Sequence, residues 1–170
     1  AGVAYIFERK RSGTWVQVAK LRARDGQSYS FFGRSVAISG TIVVVSSSSN
    51  NGALYAFTKR GVSWVFSKKL IPGVEGCSFC YQLQFYPAVA ISGTTVGVLS
   101  SGSRSYVTLF KQQSTASWSE PTQLVVPQSG YADDASLAID GNIIIASSKW
   151  WGFQSGLANV FEAYHSGEPW

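Results

Sequence analysis

The chain has 170 residues, long enough for one domain with a sizeable core, and 45% hydrophobic against 14% charged residues exclude a disordered segment. No run approaches the roughly 20 apolar residues of a membrane-spanning helix, and no basic, apolar, small-residue succession marks a signal peptide. The net charge of +5 hides an asymmetry: residues 1–70 carry 11 Lys or Arg against Glu8 and Asp25, while residues 71–170 carry 3 against 7 acids, which makes the first part +9 and the rest −4. A start at Ala1 and the absence of Met lead us to expect a processed or excised piece of a longer product.

In chain order, "GVAYIFERKRSGTW" (2–15) reads as a strand and a turn, and the alternating "WVQVAKL" suits an outer strand. The clusters "ERKR" (8–11) and "LRAR" (21–24) offer Arg9, Lys10, Arg11, Arg22 and Arg24 as a basic contact surface. With no aromatic platform or recognition helix beside them, they read as solvated faces or contacts for acidic groups, and no nucleic-acid partner is expected. "FFGRSVAISGTIVVVSSSS" (31–49) then gives two apolar runs joined at Ser-Gly; its Ser46–Ser49 tail is open to O-linked sugar. "GALYAFTKRGVSW" (52–64) resembles residues 2–15. The segment "PGVEGCSFCYQLQ" (72–84) is an insertion without counterpart elsewhere in the chain.

Four strand-like runs follow, Pro87 to Ile91, Thr95 to Leu99, Tyr106 to Phe110 and Trp118 to Val125, and then "LAIDGNIIIASSKW" (137–150). The continuous runs "TIVVVS" and "NIIIAS" are expected to be buried on both faces. These stretches are copies of one unit. "VAISGTIVVVSSSS" recurs as "VAISGTTVGVLSSG" and "LAIDGNIIIASSKW" with Gly40, Gly93 and Gly141 in register; Phe7, Phe57, Phe110 and Phe161 recur at steps of 50, 53 and 51 residues, followed by Trp15, Trp64, Trp118 and Trp170. Leu21, Leu70 and Leu124 each lie six residues beyond a Trp. Four strands per period of about 50 residues predict an all-β fold of four-stranded antiparallel β-propeller blades. The repeats cover about 2–51, 52–104 and 105–155, with a partial repeat at 156–170, forming one propeller segment. Such a propeller is incomplete, or completed by another molecule. The Phe and Trp series reads as packing between neighbouring blades.

The pattern "FFGRSVAISGTIVVVSS", with Phe32-Gly33 ahead of a Val-rich strand, and the strands "GALYAF" and "GVAYIF" resemble the FG-GAP repeats of the integrin alpha-chain β-propeller and of many surface proteins. Phe32-Gly33 becomes Phe85-Tyr86 and Asp133-Asp134 in the later copies, and Ser46-Ser47-Ser48 stands where the family has Gly-Ala-Pro. The resemblance implies an extracellular or cell-surface protein acting through interactions. Its calcium-binding members carry a D-x-D-x-D-G loop, which has shrunk here to "SGT", "SGT" and "DGN", so neither a metal nor any other cofactor is expected. In an extracellular setting Cys77 and Cys80 are candidates for a small disulfide loop, with free thiols as the alternative.

Catalysis finds no constellation: His165 is the single histidine, and the adjacent Asp133 and Asp134 would point to opposite faces of a strand. We therefore expect a non-enzyme. Trp150, Trp151, Phe153 and Tyr131 are candidate contact aromatics, with packing between blades the plainer role and protein contact or glycan stacking the others. Open blade arrays leave strand edges and apolar faces that further blades or other copies must cover, and ends of unlike charge favour head-to-tail contact. The leading expectation is a structural or adhesive module that self-associates, in a surface appendage or filament; a lectin-like glycan binder is the alternative.

Overall fold

A computed structural model describes residues 2–26, 28, 30–48, 52–73, 88–100, 105–127, 132–150 and 156–162, with backbone alone for 132–134 and 148–150. These residues form thirteen strands and no helix. Two sheets have four strands in simple antiparallel succession. The first contains β3 (Val36–Ser39), β4 (Ile42–Ser47), β5 (Ala53–Arg60) and β6 (Ser63–Leu70); the second contains β7 (Ala88–Ser92), β8 (Thr95–Ser100), β9 (Ser105–Lys111) and β10 (Thr122–Val126). Before them lies a two-stranded sheet of β1 (Ala4–Arg9) and β2 (Trp15–Leu21), and after them a three-stranded one of β11 (Ala132–Asp140), β12 (Ile143–Trp150) and β13 (Gly156–Glu162).

Turn chemistry explains the meanders. Ser39 pairs directly with Ile42, Ser92 with Thr95, Asp140 with Ile143 and Arg60 with Ser63, so each hairpin loop has two residues. Positive φ falls on the first of them alone, Gly40, Gly93, Gly141 and Gly61, as in type II′ turns. Repeat equivalence extends to register. Ala4 faces Leu21, Leu54 faces Leu70 and Val107 faces Leu124, and the β-bulges after Ile6 and after Ala56 fall at the same point of the repeat.

The four sheets are blades stacked face to face. Innermost strands β3 and β7, and β7 and β11, are neighbours, so the sheets fan out from a common line. Three apolar layers fill the gaps. Ile6, Leu21, Val43, Val45, Tyr55 and Phe57 fill the first gap; Ile42, Val44, Leu54, Val96, Val98 and Phe110 the second; Leu99, Val107, Leu109, Val126, Ile144 and Ala146 the third. In β8, Gly97 makes room in the third layer, since a Cβ there would stand 2.7 Å from the Ile139 side chain.

The Phe-Gly pair works as a plug and a pivot. Phe32 is buried with its ring edge-on to Tyr55 and Phe57, while Gly33 has φ of +96° and its N–H donates to the Ser46 carbonyl at 3.0 Å. Ser46 and Ser47 are fully buried: Ser46 Oγ accepts from the Ser35 N–H, and Ser47 Oγ donates to the Ser30 carbonyl at 2.7 Å. This overturns the expectation that Ser46 and Ser47 could carry O-linked sugar, since both hydroxyls clamp the Ser30–Ser35 loop. In this copy of the repeat, buried hydroxyls thus satisfy loop backbone groups.

Three further expectations need correction. Trp118 makes only an isolated bridge to Gln112, and the last strand of its sheet starts at Thr122, after Pro121, which has no N–H to give a ladder. The run of β4 is buried on both faces, whereas in β12 Ile144 and Ala146 are buried and Ile143 and Ile145 are exposed. The Phe and Trp series packs between blades at Phe57, Phe110 and Trp118 but not at Phe7 and Trp15, which are exposed.

Candidate interaction surfaces

Of the exposed large apolar side chains, Tyr5, Phe7 and Trp15 lie on the outer face of the first sheet and Ile143, Ile145 and Val160 on that of the last. Cross-strand partners share a face. In the first sheet Tyr5 faces Lys20, Phe7 faces Gln17 and Arg9 faces Trp15, so Tyr5, Phe7 and Trp15 form an aromatic row with Lys20 and Arg9 beside it. Lys20 Nζ lies 5.4 Å from the centre of the Tyr5 ring. In the last sheet Ile143 faces Asp140 and Glu162, and Ile145 faces Ala138 and Val160, which makes an aliphatic row edged by two acids.

Each exposed residue has a buried counterpart elsewhere in the chain. Trp15 is 65% exposed and its equivalent Trp118 is 6% exposed; Val160 is 65% exposed while Ala56 and Leu109 at the same repeat position are buried. Ile143 and Ile145 correspond to the buried Ile42 and Val44. On β3, Val36 is 57% exposed against 8% for Val89, because β1–β2 contributes no inner strands to cover it. Both outer faces therefore carry side chains of the kind that elsewhere join blade to blade.

Polar contacts between sheets also repeat. The Gly93 N–H donates to Ser39 Oγ and the Gly141 N–H to Ser92 Oγ, both at 3.1 Å, linking successive hairpin tips. Asp140 holds the third of these acceptor positions. Lys59 pairs with Glu8, and Gln112 Nε2 donates to Thr58 Oγ1 at the equivalent place one blade later. Lys59 draws the Glu8 carboxyl below its ordinary range.

One cluster of titratable groups joins the β2–β3 connection to β5 and β6. Asp25 accepts from Lys69 Nζ at 2.5 Å and from Tyr55 Oη at 2.7 Å. The Lys69 hydrogen bond, then that of Tyr55, holds the Asp25 carboxyl below its ordinary value; Asp25 in turn raises Lys69, and burial first, then Asp25, raises Tyr55. A depressed carboxyl contributes stability above its unfolded pKa and loses it as pH falls through the folded one; a raised lysine loses its contribution only as pH climbs through the lysine range. Stability is thus expected to fall on acidification below about pH 4, by under about 1 kcal/mol for this half-exposed pair. Urea titrations across pH check this, and Asp25→Asn should flatten that part of the acid limb.

Of the residues singled out in the sequence, Arg9, Lys10 and Arg11 lie at the β1–β2 turn, while Arg22 and Arg24 lie at the other end of β2, roughly 20 Å away along the strand. Arg24 is placed 5.5 Å over the Phe66 ring. Trp150 is the last residue of β12, its backbone opposite Ala132. Cys77, Cys80, Tyr131, Trp151, Phe153, His165 and Trp170 lie outside the described residues, as do Phe85 and Tyr86. Asp133 and Asp134 sit at an irregularity of the β11–β12 register. Among the described residues no three His, Cys, Asp or Glu side chains gather as metal ligands, and no helix is long and apolar enough to cross a membrane. Reading the sequence led to the expectation of apolar end faces but named none of their residues; the signal was present, as repeat positions buried in the middle copies that recur in the first and last sheets.

Residues 15–57, from β2 to Phe57 of β5, match the sequence model of the FG-GAP repeat. That repeat points to a protein-interaction module of β-propeller type and occurs typically in extracellular or surface proteins. No curated protein and no solved structure matches the chain significantly.

Proposed function

We propose, from the FG-GAP repeat at residues 15–57 and the two uncovered blade faces, that this chain is a non-enzymatic structural or adhesive propeller segment of the cell exterior. It acts by binding protein, first of all further copies of itself, as a building unit of a surface appendage or filament. The observation that carries the reading is the pair of outer faces. Tyr5, Phe7 and Trp15 at one end and Ile143, Ile145 and Val160 at the other are exposed at repeat positions whose interior equivalents lie in blade interfaces.

Burying such faces removes apolar area from water, which drives association, while unlike charges orient it. Basic Arg9 and Lys20 flank the aromatic row; Asp140 and Glu162 flank the aliphatic one. Contact between unlike surfaces closes into rings or runs on as a filament. Light scattering with negative-stain imaging at low and high salt is expected to show discrete assemblies larger than the chain that weaken as salt rises. A monomer at every salt concentration would sink this reading and direct attention to glycan recognition by Trp150, Trp151, Phe153 and Tyr131, with Trp151→Ala as the diagnostic loss.

A further inference from the structure

The crossover from β2 to β3, residues 22–35, lies at the end of the sheets opposite the β3–β4 and β5–β6 turns. It carries three exposed arginines, Arg22, Arg24 and Arg34, and a single acid, Asp25. That acid is turned inward. Lys69 and Tyr55 hold its carboxylate, so it does not neutralise Arg22 and Arg24. Nor does the exposure of these two arginines come from the place of their sheet in the stack: Ile71 and Gly73 stand at the same repeat positions in a sheet packed on both faces, and both are exposed.

The same crossover holds Phe31, whose φ of +47° is the one positive value outside glycine among the described residues. For a bulky side chain this is strained, and it persists only where the surroundings over-determine it. Here they do. The Ser30 carbonyl accepts from Ser47 Oγ and from the Ser48 N–H, the Phe32 ring is wedged against Tyr55 and Phe57, and the Gly33 N–H donates to the Ser46 carbonyl. Fixed on both sides, Phe31 presents its ring outward, 57% exposed, while Phe32 is buried. Ring contacts tie this point to the arginines: Phe32 to Tyr55 at 5.4 Å, Tyr55 to Phe66 at 6.4 Å, and the Arg24 guanidinium 5.5 Å from the centre of the Phe66 ring.

We propose that this crossover binds an acidic polysaccharide. Arg22 and Arg24 take its sulfate or carboxylate groups through paired N–H donors, and the Phe31 ring packs against the apolar face of a sugar. The strained backbone holds that ring ready, so it need not be ordered on binding. The inference draws on neither outer face and is independent of self-association.

The wider charge favours such a ligand. Lys10, Arg11, Arg60 and Lys68 are exposed as well, and Glu8, the one other acid of residues 1–70, is paired with Lys59, so the field around these residues draws in polyanions. A polysaccharide suits the exterior setting typical of the FG-GAP repeat, and one exposed ring in the crossover falls short of the row of stacking aromatics that single-stranded nucleic acid uses.

The test is calorimetric titration of the full chain with heparin and with polygalacturonate, set against neutral dextran, polyglutamate and single-stranded DNA at one salt concentration. One or both acidic polysaccharides are expected to bind, and dextran is not. Arg22→Gln with Arg24→Gln should weaken that binding at least about tenfold, against less than about threefold for Lys10→Gln with Arg11→Gln, which removes the same charge from the β1–β2 turn. Phe31→Asn should also weaken it, by about three- to tenfold, without lowering the unfolding temperature, since Asn takes positive φ with less strain. Equal losses from the two charge pairs overturn the site, and polyglutamate or DNA binding as tightly as the polysaccharides overturns the ligand class. Unchanged affinity in Phe31→Asn overturns the role of the ring. A chain that binds neither acidic polysaccharide overturns the proposal outright.

Discussion

Leu54→Ala should lower the free energy of unfolding by about 3–4 kcal/mol. Leu54 is fully buried in the second apolar layer, opposite Leu70 on the neighbouring strand, and shares that layer with Ile42, Val44, Val96 and Val98. Both walls of the layer are hydrogen-bonded sheets, which cannot close over a lost isobutyl group without moving a whole ladder, so the cavity stays. Val62→Ala is the control: Val62 is 90% exposed in a two-residue turn, and its truncation should change stability by less than about 0.5 kcal/mol. Urea denaturation at one fixed protein concentration checks both, since association would otherwise add to the apparent stability.

Gly33→Ala should cost about 3–5 kcal/mol, far more than Gly40→Ala at about 1–2 kcal/mol. Both glycines have positive φ, but their surroundings differ. At Gly40 an added Cβ meets nothing within 4 Å, so only backbone strain is felt. At Gly33 φ lies at +96°, outside the left-handed well, and the Cβ would stand 2.8 Å from the Val3 carbonyl oxygen. That carbonyl belongs to the approach of β1, so relief of the clash pushes the β1–β2 hairpin off the rest of the stack. Thermal unfolding of the two variants orders them, and limited proteolysis at the Lys and Arg residues of β1–β2 should be faster in Gly33→Ala alone.

Much of the fold was legible because the repeat states each element several times over. The runs read at 87–91, 95–99 and 106–110 are β7, β8 and β9 to within two residues at either end. The glycines at 40, 93 and 141 marked two-residue turns. What a repeat cannot tell is where it stops being surrounded. Ile143 and Ile42 look alike in sequence, and Phe7 looks like Phe57, yet one of each pair is exposed because burial between blades depends on a neighbour. Ser46 and Ser47 misled for a related reason: a serine run reads as a solvated loop, but here the hydroxyls serve loop carbonyls and amides inside the stack. Trp118 reads as the first residue of a strand through its equivalence to Trp15 and Trp64, but Pro121, three residues on, delays the ladder.

The serine-to-glycine contacts at the hairpin tips have a mechanical meaning. Within a sheet, neighbouring strands are tied by a ladder of directional bonds; between sheets, Val89, Gly93 and Gly141 lend single amide protons to Ser35, Ser39 and Ser92, and the rest of the join is mostly side-chain contact without preferred direction. Under tension along the stack, the yielding points are therefore the gaps between plates, and the plates themselves stay whole. A plate that slips its neighbour has its ladder intact when the load is released, and reseating it requires only that the apolar faces meet again. Such a stack can give under load without unravelling.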